Sequence, residues 1–216
     1  MSRGAFIVIE GLDRSGKTTQ TAALYEQLKE VGKVAKLLKF PDRTTAIGKM
    51  IDAYLRSQSD LDDRAIHLLF SANRWELASE IEKDLKEGIN ILCDRYAFSG
   101  IAFSASKGLP YEWCRAPDIS LPSPDLVLFL DISPEKAKER GGYGEERYEK
   151  EEMQKKVREI FKRIGEEMNV ATAGAKWVVI DAGRDCEDVA KDVWAHAEGL
   201  IEGTSQPITR LWDTSE

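Results

Sequence analysis

Residues 11–18 read Gly-Leu-Asp-Arg-Ser-Gly-Lys-Thr, the spacing G-x-x-x-x-G-K-S/T. Glycines at that spacing let a backbone curl until its N–H groups point inward at phosphate oxygens. Lys17 then supplies a point charge to β- and γ-phosphates, and the Thr18 hydroxyl is placed for Mg²⁺. The ligand such a loop accepts is a nucleoside triphosphate. Asp13 and Arg14 lie inside the loop but are not needed for the cradle, and a carboxylate is a poor companion for polyanions. A further acid, Asp94, closes the run Ile-Asn-Ile-Leu-Cys-Asp and is followed directly by Arg95.

These surroundings separate the kinds of phosphate chemistry. A GTPase reads guanine with N-K-x-D, but Asn73, Asn90 and Asn169 begin NRWE, NILC and NVAT. A motor or transporter ATPase commonly closes its acidic strand with an acid pair that orients water, whereas here Asp94 stands alone. Instead, arginines recur at Arg14, Arg43, Arg95, Arg140 and Arg147. Arginine is always charged and pairs with phosphate through two parallel N–H bonds. Transfer of a phosphoryl group between two anions needs positioning and charge neutralisation above all. The pattern therefore points to an acceptor other than water, itself anionic.

Short apolar runs must hold these residues. Strands are expected at 5–10, 34–40, 89–94, 125–132 and 177–182. Between them lie helical patterns: one opening at Lys17 and stopping at Gly32, two before Gly88, one near 96–105, and a short one after Pro110. Three more are expected, starting at Ser133-Pro134-Glu135 and spanning 149–169 and 185–201. Strands alternating with helices predict an α/β fold: a five-stranded parallel sheet with helices on both faces. Ligands of such sheets bind beyond the carboxyl ends of the strands, where Phe40, Asp94, Asp131 and Asp181 fall. Residues 1–202 are expected to form one domain, and 203–216 a loosely ordered tail without periodicity.

The chain of 216 residues carries 31 Lys+Arg against 38 Asp+Glu, a net charge of −7. That balance argues against nucleic acid as a partner, because such surfaces need a basic excess. No run is long and apolar enough to suggest a membrane span, and the start lacks the pattern of a signal or transit peptide. Cys93, Cys114 and Cys186 show neither metal nor disulfide spacing; small buried or half-buried thiols in a reducing, cytoplasmic compartment are expected, with nuclear presence left open. His67 and His196 have no catalytic company and read as structural.

The segments EGLDRSGKTTQ, FPDRTTAIGKMI, HLLFSANRWE, CDRYAFSGIAFSASKG, PDLVLFLD and ERGGYGEERYE together resemble those of thymidylate kinases, over nearly the whole chain to about residue 202. The resemblance implies the fold of the P-loop nucleoside monophosphate kinases and transfer of the γ-phosphate of ATP to dTMP, giving dTDP and ADP, with Mg²⁺ as cofactor, in dTTP synthesis by a homodimer. It implies that Arg14 is the catalytic arginine of the eukaryote-like type, carried in the P-loop, and that Asp13 meets the sugar 3′-hydroxyl. Catalysis would rest on Arg14, Lys17, Arg95 and Asp13. ATP would be held by Gly11, Asp13, Arg14, Ser15, Gly16, Lys17, Thr18 and Thr19, with Arg140, Ala182 and Arg184 near adenine. Thr18 and Asp94 would hold Mg²⁺, partly through water. Arg43 and Arg95 would take the dTMP phosphate, while Phe40, Ser99, Gly100 and Phe103 line its pocket.

Phe70 and Arg74 are four residues apart and share a helix face, an aromatic plane and a guanidinium suited to a pyrimidine and its carbonyl edge. Trp75 adjoins Arg74 and is placed to brace it. By the same resemblance, Tyr148 would lie over the sugar and crowd a ribose 2′-hydroxyl. Residues 137–150, with Gly141, Gly142 and Gly144, would form a mobile lid. Two other readings stay open on the residues themselves: a different monophosphate or a deoxynucleoside as acceptor, and a nucleotide-sensing protein without catalysis.

Overall fold

A computed structural model describes residues 2–140, 147–170 and 175–213. The elements follow in the order β1 (Phe6–Gly11), α1 (Lys17–Glu30), β2 (Ala35–Lys39), α2 (Ala46–Leu55), α3 (Asp63–Lys86), β3 (Asn90–Asp94) and α4 (Ala97–Ala105). After α5 (Tyr111–Arg115) and a 3-10 turn (Ala116–Asp118) come β4 (Leu126–Asp131), α6 (Pro134–Glu139), α7 (Glu151–Val170), β5 (Lys176–Asp181) and α8 (Cys186–Ala197). The five strands pair in parallel, in the order β2-β3-β1-β4-β5. The three inner strands are buried almost throughout, which is why they read as unbroken apolar runs, while edge strands β2 and β5 keep exposed positions.

Helices α1 and α8 pack together on one face; α4 packs against α3 and α7 on the other. That second face holds an aromatic cluster in which Phe129 and Trp177 stack with centroids 5.8 Å apart and Phe161 lies 4.8 Å from Phe129. β1 has β3 on one side and β4 on the other, so the loop leaving it opens into the crevice where strand order diverges. The sequence therefore delivers the phosphate loop to the carboxyl end of the sheet, where ligands of such folds enter.

The tail, described to residue 213, makes contacts that its sequence did not announce. Arg3 and Thr204 exchange backbone hydrogen bonds of 2.9 Å, and Arg3 grips Asp125 with two nitrogens, 2.7 and 2.8 Å. Leu211 is buried and exchanges backbone bonds with Ser120 and Leu121, while the Trp212 ring meets Phe98 edge-on. These contacts are far apart in sequence, so they leave no periodicity to read. The last helix also stops early, at Ala197. The glycines Gly141, Gly142 and Gly144 of the expected lid lie outside the described residues.

Candidate active site

Two cavities meet at the phosphate loop. The first, of about 460 Å³, is lined by Arg14, Ser15, Gly16, Lys17, Thr18, Thr19, Arg140, Ala182 and Arg184, all expected near ATP, and additionally by Gln20, Cys186 and Val189. Gly16, with φ of 94°, supplies the left-handed turn into α1 that a side chain would resist. Lys17 is almost fully buried, and its ammonium donates to the Leu12 carbonyl and, at 3.4 Å, to the Ser15 hydroxyl. Burial, helped by the Arg95 charge, pulls its pKa down to about 7, against the attraction of Asp13, Asp94 and Glu10. Arg140 donates to the carbonyls of Arg14 and Ala182, tying the loop to the far wall of this cavity.

Asp94 sits at the floor between the strands. The Thr18 hydroxyl donates to its Oδ2 at 2.6 Å and Lys39 lies 3.1 Å from the same oxygen, but buried Oδ1 has no partner. Burial alone would raise the Asp94 pKa; Lys17, Lys39, the Thr18 hydroxyl and Arg95 outweigh it and hold the carboxyl below its ordinary value. It is thus an ionised acid with an oxygen to spare, beside a hydroxyl: a donor set that fits a hard cation such as Mg²⁺.

The second cavity, of about 90 Å³, is lined by Asp13, Phe40, Arg43, Phe70, Arg74, Arg95, Ser99, Gly100, Phe103 and Tyr148, every residue expected around the acceptor. Pro41, Leu55, Tyr96 and Ser104 complete it. Phe103 stacks on Tyr148 with centroids 5.5 Å apart, and the Arg95 guanidinium lies 5.3 Å from the Phe103 ring. Arg43 pairs with Asp52 at 2.7 Å. Arg95 pairs with Asp13 and donates to Gly11 O and Ser99 Oγ, each at 3.0 Å.

Arg14 and Arg95 both hold φ values above 60° without being glycine, 62° and 67°. Such backbone costs on the order of 1–3 kcal/mol and persists only where neighbours impose it. For Arg95 the imposing group is Glu10, fully buried, whose Oε1 accepts from the N–H groups of Tyr96 and Ser99 and whose Oε2 accepts from Ser99 Oγ at 2.6 Å. Tyr96, at the N-cap of α4, makes no side-chain cap bond, so the strand supplies the capping carboxylate. Burial pushes the Glu10 pKa up against these hydrogen bonds and Arg95. Arg14 is met by Glu149 at 3.2 Å.

Some expected residues lie elsewhere. Gly11 lines neither cavity, although its carbonyl anchors Arg95, and Asp13 faces only the second. Arg147 turns away: it pairs with Asp60 and covers the Tyr54 ring at 4.2 Å, holding its segment to the end of α2. Asp131 binds Arg158 through two bonds of 2.7 Å, and with Asp181 it lines a separate cavity. Cys93 and Cys114 are buried, but Cys186 is exposed. His67 is buried between Ser104 Oγ and the Cys114 carbonyl. Trp75 braces Arg74 only indirectly, through the Pro117 carbonyl at 2.8 Å.

Three polar residues escaped the sequence reading. Glu10 had a signal, an acid ending an otherwise apolar strand. Gln154 had a better one, because it shares the buried face of α7 with Val157, Phe161, Ile164 and Met168. Its amide donates to Asp13 Oδ2 at 2.7 Å and to the Tyr148 carbonyl at 2.9 Å, and accepts from the Asp13 N–H. Asp118 had none.

The sequence model described as "Thymidylate kinase" matches residues 9–193. The chain is similar to thymidylate kinase of Schizosaccharomyces pombe, 54% identical over 89% of this chain and 90% of that one. It is also similar to that of Arabidopsis thaliana, 49% identical over 98% of this chain and 78% of the relative, a span that takes in the tail. Among solved structures, the thymidylate kinase of Candida albicans superposes with a TM-score of 0.87 at 38% identity, covering 97% of this chain and 99% of the other.

Proposed function

The chain belongs to the thymidylate kinase family and phosphorylates dTMP with ATP, and we propose that its two cavities divide that reaction between donor and acceptor. One observation carries the assignment: consecutive residues of a single loop face different cavities, Arg14 the larger and Asp13 the smaller. A phosphoryl group leaving one site for the other passes this loop.

On this reading the loop amides of Ser15 to Thr19 and the Lys17 ammonium hold the ATP phosphates, with adenine towards Arg140, Ala182 and Arg184. Asp94 and Thr18 are the residues that would hold Mg²⁺, and the spare Oδ1 supports it. Mg²⁺ bound there would neutralise charge on the β- and γ-oxygens during transfer. Arg43 and Arg95 take the acceptor phosphate. Phe70 and Arg74 take the base, and Asp13 takes the sugar 3′-hydroxyl beneath Tyr148. Arg14 supplies charge to the equatorial oxygens in the transition state, an arginine finger in cis. No residue is required to activate water. The lid role of residues 137–150 belongs to the same proposal, since its described parts Arg140 and Tyr148 border one cavity each.

The proposal includes a homodimer acting in the cytoplasm. Leu68 and Trp75 lie two helical turns apart on α3 and are exposed, and Ile119 is exposed as well. Such side chains suit a partner surface. Sedimentation of the protein across a hundredfold range of concentration reads this directly, and a monomer throughout would remove it.

ADP release with ATP and Mg²⁺, compared for dTMP, dUMP, dCMP, UMP, AMP and no acceptor, tests the division of labour. A marked preference for dTMP with little release in its absence is expected. Equal release without any acceptor would mean that water reaches the phosphate and that the second cavity is not the acceptor site.

A further inference from the structure

Asp118 is completely buried, yet it lies outside both cavities and outside the chemistry described above. It ends the 3-10 turn between α5 and β4. Its Oδ1 accepts from Arg74 Nε at 3.1 Å and from the Ser71 hydroxyl at 2.7 Å, and its Oδ2 accepts from Arg74 Nη2 at 2.6 Å. Trp75 donates to the neighbouring Pro117 carbonyl. Residues 71, 74 and 75 share one face of α3, so the helix clasps this turn with three side chains.

The consequence lies in what remains of Arg74. Its fork has three nitrogens, and two are spent on Asp118. Nη1 makes no hydrogen bond among the described residues, although Arg74 lines the acceptor cavity. Gly100 closes the other side: a Cβ there would stand 2.8 Å from Nη2 and 3.1 Å from Nη1, so only glycine lets the guanidinium lie flat against α4. The side chain of Arg74 is 2% exposed, against 16% for Arg95 and 33% for Arg43. Arg74 is therefore the innermost cation of the cavity. In a pyrimidine nucleotide C4 lies across the ring from the sugar-bearing nitrogen, so it is the atom that reaches deepest.

We propose that Asp118 is the positioning residue for base discrimination: it fixes Arg74 so that Nη1 is offered as a donor to a carbonyl at C4 and opposes an amino group there. This rests on Arg74 as the base contact. Thymine presents the carbonyl; cytosine presents an amino group, another donor, which leaves both groups unpaired in a dry pocket. Asp118 also supplies the counter-charge without which a buried, always protonated guanidinium would turn towards any available acceptor.

The test compares kcat/KM for dTMP and dCMP in wild type, Arg74→Met, Asp118→Asn and Ser71→Ala. Arg74→Met should lower the dTMP:dCMP ratio by about a hundredfold, the scale at which a hydrogen-bonding site rejects the wrong group. Asp118→Asn, which touches no substrate, should lower it by roughly tenfold, through a raised KM for dTMP with KM for ATP unchanged. Ser71→Ala, which removes one hydroxyl from Asp118, should lower it by about threefold. If Asp118→Asn does not fold, Ser71→Ala decides, and an unmoved ratio there overturns the inference. An Asp118→Asn enzyme that loses rate equally on both acceptors would make Asp118 merely structural. A ratio unmoved by Arg74→Met would instead overturn the base assignment, and this inference with it.

Discussion

In the acceptor cavity the charges are already paired: Arg74 with Asp118, Arg95 with Asp13 and Arg43 with Asp52. The donor side holds pairs as well, Arg14 with Glu149 and Arg184 with Asp192, but two of its groups are left under-compensated. Lys17 is buried with a pKa near 7, and Asp94 keeps an oxygen without a partner. The acceptor cavity is also the smaller, about 90 against 460 Å³, and aromatic rings wall it. The difference follows from what each site must do. A site that selects among similar small molecules gains from groups held in advance, because a fixed donor cannot adapt to the wrong partner. A site that receives a polyanion with its metal gains from groups left under-compensated, because the ligand then supplies the missing charge. Arg14 and Arg95, each on strained backbone, stand where the two styles meet.

The sharpest way to break the comparison is at that meeting point. Arg14→Gly removes the charge offered to the moving phosphoryl group and relaxes a left-handed position. It should cut kcat by about a thousandfold or more, while ATP binding measured by calorimetry changes little. An unchanged kcat would reduce Arg14 to a wall of the donor cavity. Next in size comes the metal. Asp94→Asn keeps the shape and hydrogen bond to Thr18 but loses the charge, so titration of Mg²⁺ against rate should shift by roughly 10–100-fold, as for ligands acting partly through water. Chelation of Mg²⁺ should abolish turnover in both proteins. Should the Mg²⁺ requirement be identical in the variant, the spare oxygen has another purpose.

On the acceptor side, Tyr148→Ala opens the wall over the sugar. Use of UMP relative to dTMP should rise by about tenfold, the scale of a steric exclusion without a lost hydrogen bond. A ratio that stays constant would leave the preference for a deoxy sugar to some other contact.

The same contrast explains what could be read in advance. The donor site is largely one local motif, and its flanking strand and helix are recognisable from apolar periodicity. The acceptor site is assembled from the ends of β1, β2 and β3 and from α3, α4 and the segment before α7. Residue types alone offered five arginines as phosphate candidates without ranking them, and helical spacing paired Phe70 with Arg74. The remainder of that wall needed resemblance to a family. Arg147 shows why residue type is not enough: with the same charge and the same neighbourhood, it was drawn off by Tyr54 and Asp60. Asp118 shows the opposite limit. Its partner lies 44 positions away, and nothing in Ala-Pro-Asp indicates a buried acid. The contacts of the tail were illegible for the same reason, being made to Arg3 and Leu121, far away in sequence.

Lys17 turns the contrast into a measurement that needs no mutation. Its ammonium is buried, so the folded protein holds a lysine whose pKa has fallen from 10.5 to about 7, while the unfolded chain keeps the ordinary value. Between those limits the unfolded state binds more protons. Stability of the ligand-free protein is therefore expected to rise with pH across that window, with the penalty greatest below pH 7. ATP reverses the balance, because phosphate oxygens favour the charged form. Binding must then take up protons above pH 7. With a free-state pKa of about 7 and a bound one well above 8, the dissociation constant should rise by about fivefold from pH 7 to 8. Calorimetry at pH 8 in buffers of different ionisation enthalpy reads the uptake directly. Heats independent of the buffer would mean that Lys17 is charged before ATP arrives, and that the donor cavity is as fully paired as its neighbour.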